Sequence, residues 1–117
     1  MKELLIETLS GIGFGTNVFL QGSMSPDEPY PERFATFYTV DSPAVAHFDN
    51  ILRGTAWRFQ VANYATDPAV VKADSVRIYA ALASVGFIPQ GRGRDLMSDE
   101  PTHTGWVNDY IYLEMEA

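Results

Sequence analysis

Residues 55–66, TAWRFQVANYAT, restrict the fold more than any other stretch. Trp57, Phe59 and Val61 alternate with Arg58 and Gln60. A period of two sends the two sets to opposite faces of an extended strand, one dry and one wet. Arg33 to Val40, RFATFYTV, is a second strand, rich in aromatic and β-branched residues. Phe34, Thr36, Tyr38 and Val40 share one face, and Ala35, Phe37 and Thr39 the other. Both faces carry apolar side chains, so both are expected to be covered, one by core and one by a partner. The two runs lie close in the chain and should pair antiparallel. In the last segment, WVNDYIYLEMEA, Ile111, Leu113 and Met115 alternate with Tyr110, Tyr112 and Glu114, so it too reads as a strand. NVFLQGS is a shorter strand candidate, followed by a loop with Pro26, Pro29 and Pro31 among acids.

Two helices are expected. In KELLIETLSGIG, Leu4, Leu5, Thr8, Leu9 and Ile12 form one stripe, ended by Gly11 and Gly13. In TDPAVVKADSVRIYAALASVGF, Asp67 is the N-cap, Pro68 occupies the first helical position and Gly86 the stop. Val71, Ser75, Ile78, Leu82 and Val85 make its apolar stripe, with Lys72, Asp74 and Arg77 elsewhere. Pro43 breaks the intervening DSPAVAHFDNI. The expected order is α-β-β-β-α-β, an α+β fold with an antiparallel sheet and helices packed on one face. At 117 residues, 46% of them hydrophobic, residues 1–117 suit a single domain with its own core.

Several chemistries fall away at once. The chain has no cysteine, which removes disulfides, thiolate metal sites and cysteine nucleophiles. Its net charge of -7 opposes a groove that grips nucleic acid by its phosphates. No apolar run is long enough for a signal peptide or a bilayer span, so no membrane partner is expected. GIGFG, with no strand before it, is a poor dinucleotide fingerprint.

The densest polar stretch is GRGRDLMSDEPTHTG, residues 91–105. Asp95, Asp99, Glu100 and His103 have neither calcium-loop spacing nor enough nitrogen ligands for zinc. His103 has Ser98, Thr102 and Thr104 nearby but no triad spacing, and His47, among small apolar residues, reads as packed. Arg92 and Arg94 between glycines would suit a phosphate, yet no helix start follows. The glycines let the backbone bend beside a partner. The stretch therefore reads as a docking or inter-subunit loop carrying Arg92, Arg94, Asp95, Asp99, Glu100 and His103, with no catalytic residue, metal or cofactor. Trp57 reads as core. Trp106, Tyr110 and Tyr112 lie on the face opposite Ile111 and Leu113 and are expected as interface anchors.

The pieces DSPAVAHFDN, YATDPAVV and GRGRDLMSDEPTHTG, with the chain from Phe34 onward, resemble a family of small proteins from the tail modules of siphophages and prophages of Gram-positive bacteria. These are the tail completion, tail terminator or tail-to-head joining proteins. The resemblance implies the lambda-type tail terminator fold and a homo-oligomeric, hexameric ring. Such a ring caps the tail tube protein, meets the head connector or stopper protein, and lets viral DNA pass without specific binding. It also implies the virion's tail–head junction as location, after assembly in the host cytoplasm. Relatives carry a basic or small residue after PTHTG, where this chain has Trp106, so that contact is expected to be more apolar here. A head-completion role at the same junction, or a small phosphate-ligand-binding module, are the alternatives.

Overall fold

The computed structural model describes residues 2–21, 30–41, 44–48, 51–97 and 102–115, and the side chains of these except at 41, 44–48, 51–54, 97 and 115. Helices α1 (Lys2–Leu9) and α2 (Pro68–Ser84) frame strands β1 (Val18–Leu20), β2 (Arg33–Asp41), β3 (Ala44–Phe48) and β4 (Ile51–Ala65). Strands β5 (Ile88–Pro89), β6 (Arg94–Met97) and β7 (Thr104–Met115) follow α2. All join one sheet, ordered β1-β2-β4-β7-β5, with β3 also on β4 and β6 also on β7. The chain is α+β and measures 53 × 28 × 23 Å.

The sheet is mixed, which corrects the all-antiparallel expectation: β1 runs parallel to β2, while β2, β4 and β7 pair antiparallel. The expected order also missed three strands. Pro43, read as a break, precedes β3, which turns back onto the start of β4. β5 and β6 span two and four residues and lie among glycines, too short to show a period. Gly11 does not end the first helix. The chain passes from α1 into a π-helical turn, Ser10–Phe14, that breaks at Gly13, where φ is 116°.

α2 begins as its residues require. The Asp67 side chain accepts from the Ala69 N–H at 2.9 Å, and Pro68 loses nothing by lacking its own. It ends in a Schellman motif: Phe87 N–H reaches Leu82 O at 3.0 Å, and Gly86, at φ 103°, reaches Ala83 O at 3.3 Å.

Both helices cover one face. Leu5, Leu9, Phe14, Ile78 and Leu82 pack on Ala35, Phe37, Phe59, Val61 and Tyr110. Trp57 packs at the margin of this core. Asp74 departs from expectation. It lies on the buried stripe between Val71 and Ile78 and is 3% exposed. Its carboxylate takes Arg33 Nε at 2.6 Å and Nη2 at 2.8 Å, a two-pronged pair. Arg33 also donates to Gly13 O at 2.8 Å and lies over the Phe14 ring. Arg77 donates to Ile12 O. One carboxylate thus ties β2, α2 and the π-helical turn together.

The opposite face is divided. At one end Phe34, 2% exposed, lies among Phe19, Tyr30, Tyr64 and His103, with ring centroids 4.9–6.2 Å away. A partner was expected on one of the two faces of β2; on the face that carries Phe34, the chain itself covers this ring. Toward the other end Ile88 stands directly across from Ile111, and Ile88 and Leu113 are 47% and 48% exposed.

Candidate functional site

The residues expected to form one loop are distributed over both faces of the sheet. Asp99 and Glu100 lie outside the described residues. The side chain of His47 does too, although its backbone belongs to β3. Arg94 pairs with Val107 and Asp95 with Trp106, so these neighbours point to opposite faces. Arg92 turns toward α2, its guanidinium 5.1 Å from the Tyr79 ring centre. The two arginines therefore do not converge on a single phosphate.

His103 is the clearest correction. It is buried at 8% exposure, in edge contact with Tyr30 and Phe34. Its Nε2 lies 2.8 Å from Pro31 O, which can only accept, so Nε2 carries the proton. Nδ1 lies 3.0 Å from Thr102 Oγ1, a hydroxyl that can donate or accept. This histidine clamps the chain before β2 to the start of β7. It cannot share an ion with Asp95, which faces the helix side. Among the described residues no three potential metal ligands converge, and no described helix is long and apolar enough to cross a membrane.

Of the expected interface aromatics, Tyr110 is core, 2% exposed, and so cannot anchor a partner. The alternation placed it on the same face as Trp106 and Tyr112, and that face is the one the helices cover. Tyr112 packs against Phe87 with ring centres 4.9 Å apart, at the edge of the same core. Burial pushes the Tyr110 phenol up to about 12, opposed by its hydrogen bond with Asn108. Unfolded, the phenol ionises near the ordinary 10. Folding therefore binds a proton above that pH, and the stability from neutral Tyr110 is full below pH 10 and lost between 10 and 12. Denaturation from pH 9 to 12 should show wild type losing stability faster than Tyr110→Phe, by up to about 1.4 kcal/mol per pH unit; parallel curves would refute this.

Trp106 is half-buried and remains at the surface. Its Nε1 donates to Arg92 O at 3.0 Å, and Asn108 Nδ2 donates to Gly91 O at 3.0 Å. These bonds lay the GRGR segment against β7. Gly93 explains why the segment needs glycine: its φ is 91°, and a Cβ there would fall 2.3 Å from Trp106 Nε1 and 2.6 Å from Val107 O. The close approach is to this chain's own indole. Gly91, at φ 96°, has open space instead. Gly93→Ala should therefore cost clearly more than Gly91→Ala, which bears only the backbone penalty of about 1–2 kcal/mol. Urea unfolding of both variants checks this, and equal losses would contradict it.

Between α2 and this segment lies a cleft of about 310 Å³. Lys72, Ser75, Val76 and Tyr79 form one wall, Arg92 and Gly93 the other, and Trp106 the floor. Lys72 Nζ rests 4.3 Å from the centre of the Trp106 ring. A second hollow of about 350 Å³ continues it past Lys72 and Trp106 toward Pro68, Asp95 and Thr104. The helical wall was overlooked in sequence, although Lys72, Ser75, Val76 and Tyr79 have the i, i+3, i+4, i+7 spacing of one helix face.

A scan of protein-family models found none that matches this chain, and no curated protein matches it.

Proposed function

We propose that the chain is a structural subunit of a phage tail–head junction. It assembles as a ring, hexameric by the resemblance in its sequence, that caps the tail tube and meets the head connector. The lambda-type tail terminator fold belongs to the same proposal. The observation that carries the reading is the uneven sheet. One face is covered by both helices, and one end of the other by the aromatic cluster around Phe34. The rest of that second face presents Ile88, Ile111 and Leu113 on paired strands, with exposed Arg58 across from Ile111, and with Ile88 and Leu113 about half exposed. An apolar patch on a sheet face is what a subunit contact uses. A patch that meets a different patch on its neighbour forms a heterologous contact, which closes a ring when the rotation permits. The net charge of -7 supports the reading further, because an acidic lining repels DNA phosphates and favours passage over sticking.

The test is mass by light scattering across protein concentration, with and without purified tail-tube protein, and negative-stain imaging of any large species. Rings with a central hole are expected. Leu113→Glu together with Ile88→Glu should abolish them while leaving the circular dichroism intact. A monomer in both conditions would overturn the proposal.

A further inference from the structure

The two hollows beside α2 share Lys72 and Trp106 in their linings, and side by side they have a chemical polarity. At one end, Lys72 and Arg92 each lie over an aromatic ring, at 4.3 Å and 5.1 Å. Among the described residues neither has a carboxylate within ion-pair distance. In a chain with fifteen carboxylates and eight lysines and arginines, two such cations across one cleft are notable. Val76, 62% exposed, lines the same cleft as Trp106. At the other end Asp95 brings a negative charge. Ser75 already donates to Lys72 O at 2.7 Å, so its oxygen is left as an acceptor. From Pro68 to Tyr79 the helical wall runs for roughly 16 Å at 1.5 Å per residue. That is about five residues of extended chain. The opposite wall includes Asp95 of β6, a strand that pairs with β7 and has no other partner strand among the described residues.

We propose that this groove docks an extended acidic segment of a different protein. A glutamate or aspartate lies between Lys72 and Arg92, and an apolar side chain two residues away, on the same side of the extended chain, lies on Val76 and Trp106. Asp95 sets the direction by rejecting a second acid at its end. Charge complementarity selects an acidic partner, and a free strand edge favours an extended one. A small phosphate is the poorer fit, because Arg94, the second arginine of the glycine-rich segment, pairs with Val107 and faces away. The inference is independent of the ring reading, since the groove lies on the helix side and the proposed ring contact on the other.

The probe is a blocked hexapeptide with one glutamate near one end, leucine two residues away and serine elsewhere, with counterparts that carry glutamine or lysine in place of the glutamate. Binding is followed by fluorescence in a Trp57→Phe background, which leaves Trp106 as the single indole. The glutamate peptide should shift Trp106 emission saturably, and added salt should weaken it. Lys72→Glu and Arg92→Glu should each weaken it roughly tenfold or more. Lys72→Arg, which keeps the charge, should retain binding, and circular dichroism confirms that each variant is folded. Equal binding of the glutamine peptide would overturn the proposal. So would displacement of the peptide by millimolar inorganic phosphate, which would mark a small-anion site. If the charge reversals instead abolish self-association and no peptide binds, the occupant is a second copy and the proposal falls.

Discussion

Asp74→Ala is expected to destabilise the folded chain by about 3 kcal/mol or more. The carboxylate is 3% exposed, and the side chain of its partner Arg33 only 27%. Removing it leaves a guanidinium held between Gly13 O and the Phe14 ring without its counter-charge. The loss comes mainly from that stranded charge, because the attraction in the intact pair is largely offset by the cost of desolvating both groups. Two consequences distinguish this account from simple packing. Arg33→Met with Asp74→Leu should cost less than the sum of the two single changes, since neither charge is then left alone. Arg77→Ala should cost far less, because Arg77 lies 3.5 Å from the carboxylate and its side chain is 52% exposed. Denaturant midpoints should move while the slopes stay constant. Additive losses in the double variant would contradict the account.

Phe34→Ala should lose about 3–5 kcal/mol, as a buried aromatic does when truncated. The ring touches four aromatic neighbours from four parts of the chain. Phe19 comes from β1, Tyr64 from β4, Tyr30 from the approach to β2, and His103 from the approach to β7. Truncation would open a cavity beneath all of them and loosen the His103 clamp on Pro31 O. Gly105 shows how closely the cluster is packed, since a Cβ there would lie 2.8 Å from the Tyr64 ring. Phe34→Leu should recover more than half of the loss. If Phe34→Ala cost under about 1 kcal/mol, this end of the sheet would be an open face and the account would be wrong.

The contrast between Phe34 and Ile111 explains what could be read from the sequence. Period-two alternation located β2, β4 and β7, and Asp67-Pro68 with Gly86 located α2, because these signals are local. Which face the helices would cover is not local. Trp57 and Phe59 read as core, and they pair directly with Tyr112 and Tyr110. Directly paired residues share a face, so knowledge that β4 and β7 are neighbours would have moved both tyrosines into the core. Without that pairing, the row of aromatics looked like a surface. Asp74 was missed because a carboxylate on an apolar stripe was assigned to solvent. Its position three after Val71 and four before Ile78 placed it inside, and a buried carboxylate requires a cation such as Arg33. His103 gave no signal of its own, since apart from adjacent Thr102 its partners lie at positions 30, 31 and 34. The glycines of GRGR were read as backbone needs, and both take a positive φ; the neighbours that exclude a side chain at Gly93 are the Trp106 indole and Val107 O.

The most direct test of the central proposal is the length distribution of tail tubes. Tail-tube protein from the same particle is polymerised with increasing amounts of this chain and imaged by negative stain. The proposal predicts shorter tubes with a ring-shaped cap at one end, and Ile88→Glu/Leu113→Glu protein should have no such effect. Tubes of unchanged length with bare ends, at a molar excess of the folded chain, would contradict it.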